Sequence, residues 1–298
     1  MRIFVTGASG WIGSAVTDEL LAGGYEVLGL ARSDASAASV SAKGASVLRG
    51  DLDDLDSLRE GAATTDATIH LANKHDWAHP ELSNKAEREA IETIGEVLAG
   101  SNRKLLLASG VAGAVPGRSL TENDASPFHG LESPRGGSEN RAFEFVDRGV
   151  GAVSVRFAPT VHGVGDNGFT KIFVDADRAK GFAAYIGEGT NHWPAVHRSD
   201  AARVVRLGLE KAAPGTVLHA IGEEAIETKL IAEAIGRAFD LPVRSISADE
   251  TVPQFGPIGT FFGMDIPASS ARTQQLLGWV PSGPTLIEDI EGGAYSAS

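Results

Sequence analysis

The sequence contains no cysteine among its 298 residues. Disulfides, thiolate nucleophiles and Cys-ligated zinc or iron–sulfur centres are therefore excluded, and the interior is held by packing alone. Tyrosine is nearly as scarce, with Tyr25, Tyr185 and Tyr295 making up all three. No apolar run approaches the roughly 18 residues that would cross a bilayer, so no membrane partner is expected. Positive charge is also short: 26 Lys and Arg face 39 Asp and Glu, a formal net charge of −13. That balance is a poor footprint for phosphate backbones and argues against nucleic acid as a partner. With 42% hydrophobic and 22% charged residues, the chain is neither disordered nor collagen-like and can bury one large core or two smaller ones. The opening stretch Met1-Arg2-Ile3-Phe4-Val5-Thr6-Gly7 reads directly as a strand, without the regions of an export signal, so a cytoplasmic location is expected.

β-rich runs at 2–6, 25–31, 45–48, 67–71, 104–109 and 152–157 alternate with helical patterns at 11–22, 55–61, 84–98 and 137–148. Strands separated by helices of this size imply right-handed crossovers and an α/β fold with a Rossmann-type, doubly wound parallel sheet. Two stretches break the rhythm. Residues 33–41 read as a Ser/Ala-rich loop, and residues 110–134 as a long Gly/Pro/Ser-rich connection of the kind that forms lids or binding loops. After Pro159 the pattern becomes mixed, with helices expected at 169–180, 199–211, 229–239 and 271–277 and short strands at 216–220 and 243–246. The expected organisation is a dinucleotide-binding domain over 1–160, completed by 196–222, and a smaller C-terminal substrate lobe drawn mostly from 161–298.

The sharpest motif is Thr6-Gly7-Ala8-Ser9-Gly10-Trp11-Ile12-Gly13, directly after the first strand and opening the first helix. Gly7 permits a tight turn, Gly10 lets the backbone approach a pyrophosphate, and Gly13 lets helix and strand pack closely. The helix N-terminus then supplies amide donors and partial positive charge. The bland alternative, a simple strand-to-helix turn, does not need three glycines at this spacing in a strand–helix–strand context. The end of the second strand, Leu28-Gly29-Leu30-Ala31-Arg32-Ser33, carries no carboxylate for ribose hydroxyls. It places Arg32 and Ser33 where a 2′-phosphate would sit, so the expected cofactor is NADP(H) rather than NAD.

With Gly50-Asp51-Leu52, Ile69-His70-Leu71-Ala72, Leu107-Ala108-Ser109, the run from Val155 to Gly163, Ala195-Val196-His197-Arg198-Ser199-Asp200 and Leu277-Gly278-Trp279-Val280-Pro281 in order, the chain resembles the extended and atypical short-chain dehydrogenases/reductases of the NAD-dependent epimerase/dehydratase family. The resemblance covers nearly the whole chain. It implies that Ser9, Trp11 and Ile12 belong to the cofactor loop, that Asp51 and Leu52 lie against adenine, and that Leu71, Ala72 and Asn73 run along ribose and pyrophosphate. It also implies that Pro159, Thr160 and Val161 line the nicotinamide. Asp51 could equally cap the helix that follows, and Pro159 could simply end a strand.

The resemblance also implies a catalytic Tyr followed four residues later by Lys, the ammonium lowering the phenol's pKa. No tyrosine here has a lysine at that spacing. In the matching segment Arg135 takes the Tyr position and Glu139 the Lys position, while Gly110 or Val111 stands near the Ser/Thr position beside Ser109. A guanidinium does not exchange its proton near neutral pH, but it can stabilise a developing alkoxide with two directed donors. The proton would come from His162, from His197 or from water. Arg135 has a competing role as an ion-pair partner of Glu139 at helical spacing. Trp193 and the cluster Phe255, Phe261 and Phe262 suggest an apolar substrate pocket or lid, against ordinary core packing, with Val111 also near the substrate. With no cysteine and no His-rich ligand set among the eight histidines beyond the single His75/His79 spacing, no metal is expected.

These residues point to an NADP(H)-dependent oxidoreductase that reduces a carbonyl or imine of a small to medium organic molecule. Two alternatives stand beside it: an NADP-binding redox sensor without turnover, and a nucleotide-sugar epimerase or dehydratase. By analogy, the helices at 84–98 and 137–148 could pair two copies into a homodimer.

Overall fold

The structure is a computed structural model and describes residues 1–111 and 117–296. Its centre is a parallel sheet of seven strands: β1 (Arg2–Thr6), β2 (Glu26–Ala31), β3 (Ser46–Arg49), β4 (Ala67–His70), β5 (Lys104–Gly110), β6 (Gly151–Phe157) and β10 (Thr216–Ala220). The spatial order β10-β6-β5-β4-β1-β2-β3 reverses direction between β1 and β4. Loops leaving those two strands diverge there and open the crevice in which doubly wound sheets hold ligands.

Alternation along β1 divides the core. Ile3 and Val5 point to the face covered by α1 (Trp11–Ala22) and α7 (Arg198–Lys211), where Val16, Leu20, Val204 and Val205 are buried. Phe4 points to the opposite face, with Leu58 of α3 (Leu55–Ala63) and Ile91 and Ile94 of α4 (Pro80–Leu98). Burial on both faces explains why the strands read as apolar runs rather than alternating ones.

The expected helices at 11–22, 169–180 and 271–277 and the strands at 2–6, 216–220 and 243–246 have the observed bounds, and the others shift by one to four residues at an end. Residues 33–41 are a correction. They form α2 (Asp34–Ala42), because Ser33 Oγ accepts the Ser36 amide at 3.1 Å while the Ser33 amide donates back to Ser36 Oγ at 3.0 Å. Only Val40 of α2 is buried, so the helix carried no apolar periodicity to read and rests on its cap. The helix expected from 137 begins as α5 (Ser138–Glu144), since Arg135, Gly136 and Gly137 all have left-handed backbone. Part of the long connection, 112–116, lies outside the described residues.

The C-terminal part contributes β10 to the central sheet and otherwise builds its own aromatic core. Strands β7 (Thr160–His162), β9 (His192–His197) and β11 (Glu223–Glu227) form a three-stranded sheet, with β9 in the middle. Strands β8 (Ala183–Ile186) and β12 (Val243–Ile246) form a parallel pair. Around them pack α6 (Phe169–Lys180), α8 (Thr228–Phe239), the short α9 (Thr251–Phe255) and α10 (Gly259–Phe262), and α12 (Leu286–Glu291). No described helix is long and apolar enough to cross a membrane.

Candidate active site

At the crevice the glycine loop is fitted to its neighbours. Gly7 has φ of +70°, and a Cβ there would stand 2.8 Å from the Ala72 backbone nitrogen; one at Gly13 would stand 2.0 Å from the Gly7 carbonyl oxygen. Both positions exclude any side chain. Thr6 Oγ1 joins the loop to the end of β4, meeting His70 Nδ1 at 2.9 Å and accepting the Leu71 and Ala72 amides at 3.1 and 3.2 Å. Trp11 fastens the other side: its Nε1 donates to the Val161 carbonyl at 2.7 Å, and the Arg198 guanidinium stacks 4.1 Å from its ring centre. Val161 and Thr160 of β7 therefore lie beside the loop, with Pro159 half-buried before them. The start of α1 has no side-chain cap, which leaves its first amides to an anion. Ser9 is exposed in the loop, and Ile12 is half-buried on the first turn of the helix.

The outer end of the crevice is polar. Asp51 Oδ1 accepts the amides of Asp53 and Asp54 at 2.8 and 3.1 Å, closing a turn, and Asp54 rather than Asp51 caps α3. Leu52 is buried beside that turn. Arg32 is exposed, and the Ser33 hydroxyl is engaged in its capping box. A second guanidinium, unremarked in the sequence, joins them. Arg49 pairs with Ala31 in the parallel register of β2 and β3, donates to the Ser33 carbonyl at 2.7 Å and meets Asp34 at 3.0 Å.

A cleft of about 90 Å³ opens between Ser109 and Gly110 of β5, Ser126 and Phe128 of the long connection, and the segment Pro134 to Glu139. Arg135 in its wall does not pair with Glu139 as the spacing suggested. Its φ of +56° puts it outside α5, and Nη2 donates at 2.7 Å to Oε1 of Glu87, whose carboxylate is wholly buried on α4. Glu87 Oε2 accepts Asn73 Nδ2 at 2.9 Å, and Asn73 Oδ1 accepts the His75 amide at 2.8 Å. His70 lies 3.7 Å from Glu87, and burial lowers its pKa, so the imidazole stays neutral. Glu87 was legible in principle: it occupies the apolar stripe Ala90, Ile91 and Ile94 at helical spacing, where a carboxylate needs partners.

Glu139 is spoken for by β6. Arg156 grips it with Nη2 at 2.5 Å and Nε at 3.0 Å, and the Ser154 hydroxyl donates at 2.7 Å. Burial raises the carboxyl's pKa, but the Arg156 charge and the hydroxyls of Ser154 and Ser109 outweigh it and the net direction is down. Ser109 thus touches the cleft and Glu139 together.

The two histidines expected as proton sources lie elsewhere. His162 is wholly buried, with Nδ1 2.6 Å from Asp289 Oδ2, and burial lowers its pKa. His197 stacks edge-on against it at 5.6 Å, with Nδ1 2.7 Å from Ser199 Oγ. Together they tie α12 to β7 and β9. Neither lines the cleft. Trp193 also needs correcting: it is 1% exposed and ringed by Phe169, Phe173 and Phe262, so it is core and has no face for a substrate. Phe255 and Phe262 share that core, whereas Phe261 is exposed and packs edge-on against Trp77 at 6.1 Å. Val111 is half-buried against the main core, its amide bonded to the Phe157 carbonyl at 3.1 Å. Among the described residues no His, Asp and Glu cluster could hold a metal ion.

A model of the NAD-dependent epimerase/dehydratase family matches residues 3–134. An uncharacterised protein of Schizosaccharomyces pombe is 43% identical over 99% of this chain and 100% of its own length. The chain belongs to the NAD-dependent epimerase/dehydratase family. A further relative is the 4-hydroxy-2-methyl-3-oxo-4-farnesyl-3,4-dihydroquinoline-1-oxide ketoreductase of Stigmatella aurantiaca, 28% identical over 73% of this chain and 67% of that one. Among solved structures, the dTDP-glucose 4,6-dehydratase DesIV of Streptomyces venezuelae with bound NAD superposes with a TM-score of 0.78 at 21% identity, covering 99% and 96% of the two chains. The fold is thus that of an NAD(P)-dependent oxidoreductase of this family, and the residues present fit the cofactor: the loop is closed to any Cβ at Gly7 and Gly13, and α1 begins uncapped.

Proposed function

We propose that the protein is an NADP(H)-dependent oxidoreductase that reduces a carbonyl, or an imine, on a small to medium organic substrate. The observation that carries this reading is the position of Arg135, held by the buried Glu87 in the wall of a cleft beside the end of β5. The relative named as a ketoreductase supports the reaction class. When bound, the cofactor supplies a hydride. Every other task falls to the chain.

The glycine loop and the α1 terminus hold the pyrophosphate, with Ser9, Gly10, Trp11 and Ile12 around it. Leu71, Ala72 and Asn73 follow the ribose, and Asp51 and Leu52 flank adenine. Pro159, Thr160 and Val161 line the nicotinamide side. Arg32 and Ser33, with Arg49, receive the 2′-phosphate and favour NADP over NAD. Arg135 donates to the oxygen as negative charge develops on it, and because Glu87 already orients the guanidinium, little reorganisation is left for the reaction itself. Ser109 and Val111 border the substrate, and Phe261 covers it from the lobe. Small-molecule binding in the cytoplasm, as a monomer or homodimer, completes the proposal.

Titration of the protein with NADPH and NADH, followed by a screen of aldehydes, ketones and imines with NADPH, tests it. Tighter NADPH binding with consumption in the screen is the expected result. Preference for NADH overturns the cofactor assignment. Tight NADPH binding without turnover favours a redox sensor, a reading to which the locking of Glu139 by Arg156 lends support.

A further inference from the structure

Among the described residues, four other than glycine have left-handed backbone: His75, Asn102, Arg135 and Asp240. Asp240 ends α8, and Asn adopts this conformation readily. The other two lie on one hydrogen-bond chain. The His75 amide donates to Asn73, Asn73 donates to Glu87, and Glu87 holds Arg135. A side chain kept at φ of +50° costs conformational energy that surrounding contacts must offset, and such positions gather at functional sites.

The loop that carries His75, residues 71–79, leaves β4 at the point where the strand order reverses. Its charged neighbours are already committed: Lys74 to Asp53 at 2.7 Å, and Asp76 to His79 at 3.1 Å. The His75 ring has no hydrogen bond or ion pair among the described residues. It is exposed, with the Trp77 ring 6.3 Å away, and Trp77 in turn meets Phe169 at 6.3 Å and Phe261 at 6.1 Å. An unpartnered imidazole therefore stands beside this aromatic rim, on a loop whose Asn73 is tied through Glu87 to Arg135. The charged groups acting on it are Arg135, from the turn before α5, and Glu87, from α4.

We propose that His75 is the proton donor of the reduction, delivering its proton to the oxygen that Arg135 holds. The step rests on the function proposed above and balances simply. Hydride from NADPH forms the new C–H bond, and the carbonyl π electrons pass to oxygen. The imidazolium N–H bond breaks as the O–H bond forms, and neutral His75 regains a proton from solvent. Partial desolvation of the ring, in a residue still open to solvent, and the Arg135 charge favour the neutral imidazole, so its pKa lies below the ordinary histidine value. Reduction then needs the protonated minority, and kcat/KM falls as pH rises through that lowered pKa.

The experiment follows NADPH-dependent reduction of benzaldehyde against pH for wild type, His75→Ala and His75→Gln, with and without added imidazole. The expected result is a loss of ~100-fold or more in kcat, disappearance of the acid-favoured limb, and partial restoration of His75→Ala by imidazole. Proton NMR of the cofactor-free protein should show the His75 resonance titrating lower than a free histidine and rising in Arg135→Gln. Turnover in wild type with an unchanged pH profile in His75→Ala overturns the proton role and leaves the reductase reading intact. Absence of turnover in wild type across the carbonyl screen overturns both.

Discussion

Arg135 donates to Glu87 across 2.7 Å, and the two lie 48 residues apart, one on a strained turn and the other inside a helix–sheet interface. The pairing aims a cation into the cleft from a fixed base. Arg135→Ala should lower kcat for carbonyl reduction by roughly 100-fold to 1,000-fold, as loss of an oxyanion donor does, while leaving NADPH affinity near wild type. Arg135→Lys should recover only part, because a point charge replaces a two-donor fork. Steady-state kinetics with parallel cofactor titration separates the two quantities.

Cofactor choice is expected to reside at the ends of β2 and β3. Arg32→Ala should weaken NADPH binding by about ten- to a hundred-fold, the worth of a charge-assisted contact, with little change for NADH. Arg49→Ala should weaken it less, since that guanidinium already serves Ser33 and Asp34. Fluorescence titration with both nucleotides measures each ratio.

Glu139 and Arg156 form a buried ion pair in which each is 4% exposed. Removing one partner strands the other charge, so Glu139→Ala should cost about 3–5 kcal/mol in a denaturant unfolding experiment. Glu139→Gln should cost less, because the amide oxygen still accepts from Arg156 and Ser154. A loss of activity in Glu139→Gln without loss of stability would assign this carboxylate a role in the chemistry.

Asp177 on α6 is buried, with Oδ1 accepting from Gln254 at 2.8 Å and from the Ala184 amide at 3.2 Å, and Oδ2 unpaired. Burial pushes its pKa up from 3.8 to about 7. The folded protein therefore binds this proton more tightly than the unfolded chain does, so stability falls as pH climbs from about 4 to 7 and levels above that. Asp177→Asn should remove this slope and stabilise the protein at neutral pH. Thermal melting across that pH range reads the difference directly.

The sheet was legible because two-sided burial writes each strand as an apolar run and the glycine loop marks the first crossover. The glycine loop was legible because backbone decides it, at Gly7 and Gly13. Ser33 was read for its ligand and not for its cap, which hid α2. Glu87 stood out in the apolar stripe of α4, but its pairing with Arg135 was not legible, since no spacing rule connects a helix residue to a turn 48 positions later. His75 carried no cofactor or catalytic motif: its place depends on a left-handed backbone whose amide is held by Asn73. Trp193 shows the reverse error, an aromatic residue in a suggestive neighbourhood that simply fills the lobe.

The left-handed run Arg135-Gly136-Gly137 has a consequence for protein engineering. Grafting Tyr at 135 and Lys at 139 would restore the letters of the family's usual pair but not its geometry, because residue 135 precedes the first turn of α5 and the two side chains would not stack along one helix face. The lysine would also be delivered against Arg156, cation to cation, in a space shaped for a carboxylate. Converting this scaffold to the common chemistry would require rebuilding the diglycine turn and the β6 partner together, so the two ways of running the reaction are separated by several simultaneous changes rather than by a single substitution.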